Sequence, residues 1–199
     1  MAIKFQYNKT YLQQLNRELK VRENALPTLV AKESALRVEV KKAKEQAHEL
    51  EARIAKEREA LASANCLWTE MPEGLVKIDK LSVTVKKIAG VKTPVLDHAS
   101  FNIARYSLAT KAAWIPEGVE ILKNIAELKI SLELAKKKVS ILEYARKKTT
   151  QKVNLYEKVQ IPEYKEAVRK IKRFMEDEDN LAKSSQKILK VKIAAEAAA

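Results

Sequence analysis

The chain has 199 residues, of which only 3 are Gly and 5 Pro, while 33% are charged, with a formal net charge of +13. That is the profile of long helices, and so little glycine leaves little room for a phosphate-cradling loop; neither a P-loop nor a dinucleotide fingerprint is present. The one cysteine, Cys66, excludes an internal disulfide framework and suits a reducing compartment, and the two histidines, His48 and His98, lie far apart with no Cys/His/Asp/Glu cluster at metal-ligand spacing.

The opening MAIKFQYNKT has no apolar signal core, and no run of about 18 apolar residues follows. The expectation is a cytoplasmic chain with no cofactor and no metal. The first helix should begin between Phe5 and Thr10, with Asn8 or Thr10 as its cap. From Leu12 a seven-residue step reads Leu12, Leu19, Leu26, Glu33, Val40, Ala47, Ile54, Leu61. From Leu15 it reads Leu15, Arg22, Leu29, Leu36, Ala43, Leu50, Glu57. Twelve of these fifteen positions are apolar. An alternating three-four spacing held this long is a coiled-coil seam, and the stripe needs a second helix to cover it. Pro27 falls inside the run without changing its phase, which predicts a bent helix, not a break.

The heptads stop near Ala62. Leu81, Val83 and Val85 then alternate with Ser82, Thr84 and Lys86, a strand signature. Ala89-Gly90 reads as a turn, and Val91 to Ile103 as the antiparallel return, with Pro94 suited to an edge or a bulge. A module of this size has too little core of its own and should lean on the helix ends or on another chain. Trp68 and Trp114 bracket it. They either pack together where the module meets the helices or anchor a partner.

Pro116-Glu117 opens the second helix. Its seam reads Ile121, Ile125, Leu128, Leu132, Ala135, Val139, Leu142, then Arg146, Thr149, Val153 and Tyr156. Near Ile161-Pro162 the phase slips, and the row resumes as Tyr164, Val168, Ile171, Met175, which reads as a stutter. The predicted organisation is mostly α: a helix over 1–64, a β-hairpin module over 65–115 and a longer helix over 116–199, the two helices running antiparallel as a coiled-coil hairpin. If Leu61 faces Ile121, Ala47 meets Ala135, and Glu33 lands near Arg146 and Thr149 as a register-setting ion pair. The basic excess is spread over all three segments. It could meet nucleic acid, an anionic membrane surface or an acidic protein cavity. Lys136, Lys137, Lys138 and Arg146, Lys147, Lys148 are its densest clusters.

The stretch KKTTQKVNLYEKVQIP, Lys147 to Pro162, is similar to a motif of the D subunit of the V-type and archaeal-type ATPases: basic residues, two threonines (Thr149, Thr150), a Val-Asn (Val153, Asn154) and an Ile-Pro (Ile161, Pro162). The segment Tyr164 to Lys192, with acids at Glu176 to Asp179 followed by SSQKILKVK, also resembles that family's last helix. The N-terminal helix matches only as a leucine-rich, basic opening, and 65–115 departs most. The resemblance looks closest to bacterial forms. It implies a non-catalytic rotor shaft. One end would sit in a hexamer of catalytic and nucleotide-binding subunits, the middle would bind the small F subunit of the central stalk, and the far end would seat in a funnel-shaped subunit on the membrane rotor ring. Such a shaft couples ATP hydrolysis or synthesis to proton or sodium transport. Under that reading the two basic clusters and the two tryptophans are candidate partner contacts. The rivals are a coiled-coil scaffold without a motor, which leaves the β module unexplained, and a basic nucleic-acid binder, for which no groove-reading motif is present.

Overall fold

The structure is a computed structural model that describes residues 6–62, 68–72, 74–104 and 112–197. Cys66, Phe5 and the last two alanines lie outside the described residues. The element order is α1 (Lys9–Ala62), β1 (Val76–Ile88), β2 (Val91–Ile103), α2 (Ile115–Asn154), a π-helical turn (Leu155–Gln160) and α3 (Ile161–Ala197). The fold is thus mostly helical, with a long helix on either side of a two-stranded antiparallel sheet. By contacts the chain divides into two units, residues 1–31 with 149–199, and residues 32–148.

In the first unit Asn8 caps α1: its side-chain oxygen accepts the Tyr11 backbone N–H at 2.6 Å, satisfying one of the amides a helix start leaves unpaired. The helix runs through Pro27 without interruption. Leu15 packs against Ala167, Val168 and Ile171 of α3, flanked by Tyr11, Leu12, Tyr164 and Met175. Glu18 meets Tyr164 and Arg22 meets Gln160, so residue numbers rise along α1 as they fall along its partner and the pair is antiparallel.

The phase slip read near Pro162 has a specific cause. Residues 155–160 form a π turn, and the Ile161 N–H reaches back five residues to the Tyr156 carbonyl. Pro162 has no N–H to give the carbonyl four residues before it, so a regular α ladder fails at this point. A π turn holds one extra residue. Continuing the α2 row past Tyr156 in threes and fours reaches 160, 163 and 167, whereas the observed row of α3 is Tyr164, Val168, Ile171 and Met175. The offset is one residue, the width of a π insertion, not the half-turn of a stutter.

In the second unit Leu36, Val40 and Ala43 of α1 close on Leu142 of α2, and Leu36 and Leu142 are wholly buried. Lys44 pairs with Glu143 at 2.6 Å and Lys136 with Glu51 at 2.9 Å across the two helices. The hairpin register is pinned by Ile88↔Val91 around Ala89-Gly90. Both turn residues have positive φ, +48° and +79°, the signature of a two-residue type I′ turn that matches strand twist. Pro94 sits opposite Val85, and bulges fall at Ile78/Lys80 and Ser82/Val83. With two strands each is an edge, which is where a proline is tolerated.

The base of the hairpin leans on the start of α2, as its small size required: Leu75, Ile115 and Val119 form a buried cluster with Val76, Met71 and Trp114 around them. The tip is not free. Ala89 and Val91 pack against the Leu36–Leu142 cluster, beside Val139 and Ala145. The sheet therefore lies along the helix pair, and its tip completes the core of the unit.

Truncating a wholly buried leucine costs the transfer energy of its methyl groups plus a cavity. Leu142→Ala is expected to lower stability by about 3 kcal/mol. Val21→Ala, at an exposed α1 position, should change it by less than ~0.5 kcal/mol. Urea unfolding of the two variants checks this; equal effects would place the stability of the chain elsewhere.

Candidate partner-binding surfaces

A pair of helices buries one seam and leaves its flanks open. Of the seam residues, Leu15, Leu36, Val40, Ala43, Ile54, Leu142 and Thr149 are buried, while Leu12, Leu19, Leu26, Leu29, Ala47, Ile125, Leu132, Ala135, Val139 and Val153 are half-buried. Ala47 lines a shallow cleft with Val139 and Ser140. Ala135 lines a second one with Leu50 and Leu134. Glu33, the polar seam position, has a side chain only 13% exposed and accepts a bond from Arg37 one turn on.

The two basic clusters do not act as blocks. Lys136 is tied to Glu51, whose hydrogen bond and charge push the ammonium pKa up and the carboxyl pKa down. Lys138 donates to Gln46 at 3.2 Å. Lys148 lies over the Tyr144 ring at 4.8 Å, a cation–π contact, and Arg146 is half-buried. Lys137 and Lys147 point to solvent. The i, i+1, i+2 spacing necessarily spreads three basic residues around a helix, so at most one or two of each triplet can face a common partner.

Trp68 and Trp114 stack edge to face, ring centroids 5.4 Å apart at 79°, the geometry that sets a positive ring edge on a negative face. The Trp114 ring lies on Gly118: a Cβ there would sit 2.6 Å from Trp114 Cζ3, so this helix position needs glycine. Leu50 and Arg53 of α1, Pro94, Val95 and Leu96 of β2, and Leu134 of α2 line an open groove of about 290 Å³. The outward strand β1 leaves Ile78, Leu81, Val83 and Val85 exposed.

At the π turn the structure assembles a cluster that the heptad rows do not announce. Arg22 interrupts the apolar row of α1. Its guanidinium covers the Tyr164 ring at 4.2 Å and donates to Gln160 at 3.0 Å and to Glu18 at 3.3 Å. The Tyr164 hydroxyl donates to Glu18 at 2.7 Å. That bond, with further ones from Gln14 and Arg22, holds the Glu18 carboxyl below the usual carboxylate range. Burial, then the bond to Glu18, pushes the Tyr164 phenol up. The polar residue in an apolar row was the signal; its partner lay 138 residues away.

Beyond Met175, α3 continues through residues 176–196, all exposed. Leu181, Ile188, Leu189, Val191 and Ile193 show between 56% and 69% of their surface. The opposing α1 starts at Lys9, and Tyr7 already packs on Phe174 at 4.6 Å. No group of His, Cys, Asp or Glu among the described residues could hold a metal ion, and no described helix is long and apolar enough to cross a membrane.

The sequence matches the model of the ATP synthase D-subunit family over residues 11–191. It is 30% identical over 189 residues to the V-type ATP synthase D subunit of Borreliella burgdorferi, covering 94% of each chain. It is 31% identical over 173 residues to the protein of that name from Chlamydia muridarum, covering 84% of this chain and 85% of the other. The Chlamydia pneumoniae protein of the same name is 26% identical over 198 residues, covering 97% and 95%.

Gly118→Ala should displace the Trp114 ring, shifting tryptophan emission and lowering the melting temperature; unchanged emission would mean that the ring is not held against this backbone. The lowered pKa of Glu18 means its contribution is full above the ordinary carboxylate range and is lost as pH falls through the folded-state value. Glu18→Gln should therefore flatten the loss of stability between about pH 5 and 3, measured by urea unfolding across that range.

Proposed function

The chain belongs to the ATP synthase D-subunit family, and from that membership we propose that it is the central shaft of a rotary V-type or archaeal-type ATPase. It carries no catalysis itself. It couples ATP hydrolysis or synthesis in a catalytic hexamer to proton or sodium transport through a membrane rotor ring. Its place is cytoplasmic, peripheral to the membrane through the complex. Its partners are the catalytic and nucleotide-binding subunits, the small F subunit of the central stalk and the funnel-shaped subunit on the ring.

The observation that carries the reading is the exposed end of α3. Twenty-one consecutive helical residues, 176–196, are exposed and show five large apolar side chains to solvent. A monomeric protein rarely leaves such a stripe uncovered, and an enclosing sleeve of partner subunits would cover it. The half-buried seam supports the reading too. A two-helix pair with open flanks presents different surfaces around its circumference, and three surrounding sites could then be held in three states at once. In this reading Lys137 and Lys147, which face solvent, meet acidic loops of the hexamer, with Lys136, Lys138, Arg146 and Lys148 beside them. Trp68 and Trp114 lie near the surface offered to the smaller partners.

The test is made on the whole complex in native membrane vesicles. With the chain omitted, or ended after Asn180, ATP-driven ion uptake should fall to background while the hexamer still hydrolyses ATP. Uptake that persists without the chain would overturn the shaft assignment.

A further inference from the structure

In the folded second unit, positive charge gathers at the tip of the β-hairpin. Lys87 and Lys92 stand directly opposite one another in the ladder, one step from the Ile88↔Val91 pair that closes the turn. In a two-residue hairpin that place is a non-hydrogen-bonded pair, with Cα atoms about 4.5 Å apart and side chains on the same face. Like charges so placed destabilise a sheet. Lys86 precedes them. Lys32 of α1 brings its ammonium to the turn, where a Cβ on Gly90 would lie 3.6 Å from Lys32 Nζ. All four lysines are exposed, and none makes an ion pair among the described residues.

No acid is placed to relieve them. The hairpin's own acids, Asp79 and Asp97, lie eight and five residues from the pair, about 26 and 16 Å along the strands. Glu33, Glu39 and Glu143, on the helices around the Leu36–Leu142 core, already hold Arg37, Lys42 and Lys44. Nor is the tip free to fray and spread the charge. Ala89 and Val91 are packed on that core, and the buried Thr93 donates its hydroxyl to the Lys86 carbonyl at 3.0 Å. The fold holds four ammoniums around one turn against their mutual repulsion, which is the arrangement of a preorganised site for anionic groups.

We propose that the hairpin tip docks a carboxylate-rich segment of a partner protein, with Lys87 and Lys92 taking the central carboxylates and Lys32 and Lys86 the flanking ones. Charge complementarity selects this occupant. A small phosphorylated ligand would need a concave site, and the clefts of this unit at Leu50 and at Ala47 are lined by other residues. A nucleic-acid strand would need a longer basic track and aromatic rings for its bases, and residues 76–100 hold no Phe, Tyr or Trp. Four charges around one turn suit a short acidic run.

The site rests on neither the shaft reading nor the triplets at 136–138 and 146–148, and it is tested on the isolated full chain. The probe is a fluorescently labelled hexaglutamate peptide, followed by anisotropy at about 50 mM salt, where such contacts are weakly screened. It should bind the wild type and be released as salt rises. Lys92→Glu should weaken binding at least ~tenfold, because it faces acid with acid. The same change should raise the melting temperature of the free chain by about 1–4 °C, because opposite charges then stand across the ladder. A misfolded variant would not gain stability, so the pair of results separates lost binding from lost fold. Lys183→Glu, the same charge change on α3, should leave binding within ~twofold, as distant sites act independently. No binding by the wild type, an equal loss with Lys183→Glu, or a Lys92→Glu chain no more stable than the wild type each overturns the proposal. So does tighter binding of a hexauridylate strand, which would make the tip a nucleic-acid contact. So does self-association of the free chain that Lys92→Glu abolishes, which would put the acids at 176–179 of a second copy in the site.

Discussion

Two helices can share only one seam, and that limit governs what each unit must recruit. Where Leu15 meets Ile171, the flanks are finished by tyrosines and a methionine. Where Leu36 meets Leu142, the chain brings in the tip of its own β-hairpin. Leu36 and Leu142 are wholly buried because Ala89 and Val91 close the side that a helix pair leaves open. Seam positions such as Leu19, Leu26, Leu29, Leu132 and Val153, with nothing from the hairpin over them, stay half-buried.

The π turn shows how one residue type is absorbed. Pro162 denies the helix a hydrogen bond, and the chain answers by widening one turn over 155–160. The widened turn moves every later side chain by one position, so α3 can present Tyr164, Val168 and Ile171 to α1 only in a new phase. Arg22, Glu18, Gln160 and Tyr164 bond to one another at that place. Such bulges recur at functional sites, and here the extra residue sits beside that polar cluster.

Much of this was legible in the sequence, for local reasons. Asn8 as a cap, Ala89-Gly90 as a turn, the alternation of Leu81, Val83 and Val85, and the phase slip before Tyr164 all depend on neighbours along the chain. What stayed hidden depends on distance. Heptads say which face of α1 is covered but not that a hairpin tip lies on Leu36. A triplet of lysines says that charge is dense, but not that Lys136 and Lys138 turn to Glu51 and Gln46. Arg22 was visible as a break in an apolar row, yet its use follows only from a tyrosine and a glutamine far along the chain.

The hairpin tip also bears on how the chain finds its fold. Leu36 and Leu142 must meet across more than a hundred intervening residues, and closing so long a loop in one step is slow and entropically expensive. The hairpin forms from contacts between near neighbours, on a timescale of microseconds. Once formed, it carries Ala89 and Val91 as a shared landing point midway between the two leucines. Each helix then closes a loop of about half the length. The tip of the sheet thus acts as a staging post for assembly, and a residue with strained positive φ, Ala89, is kept there because its methyl group is part of the meeting place.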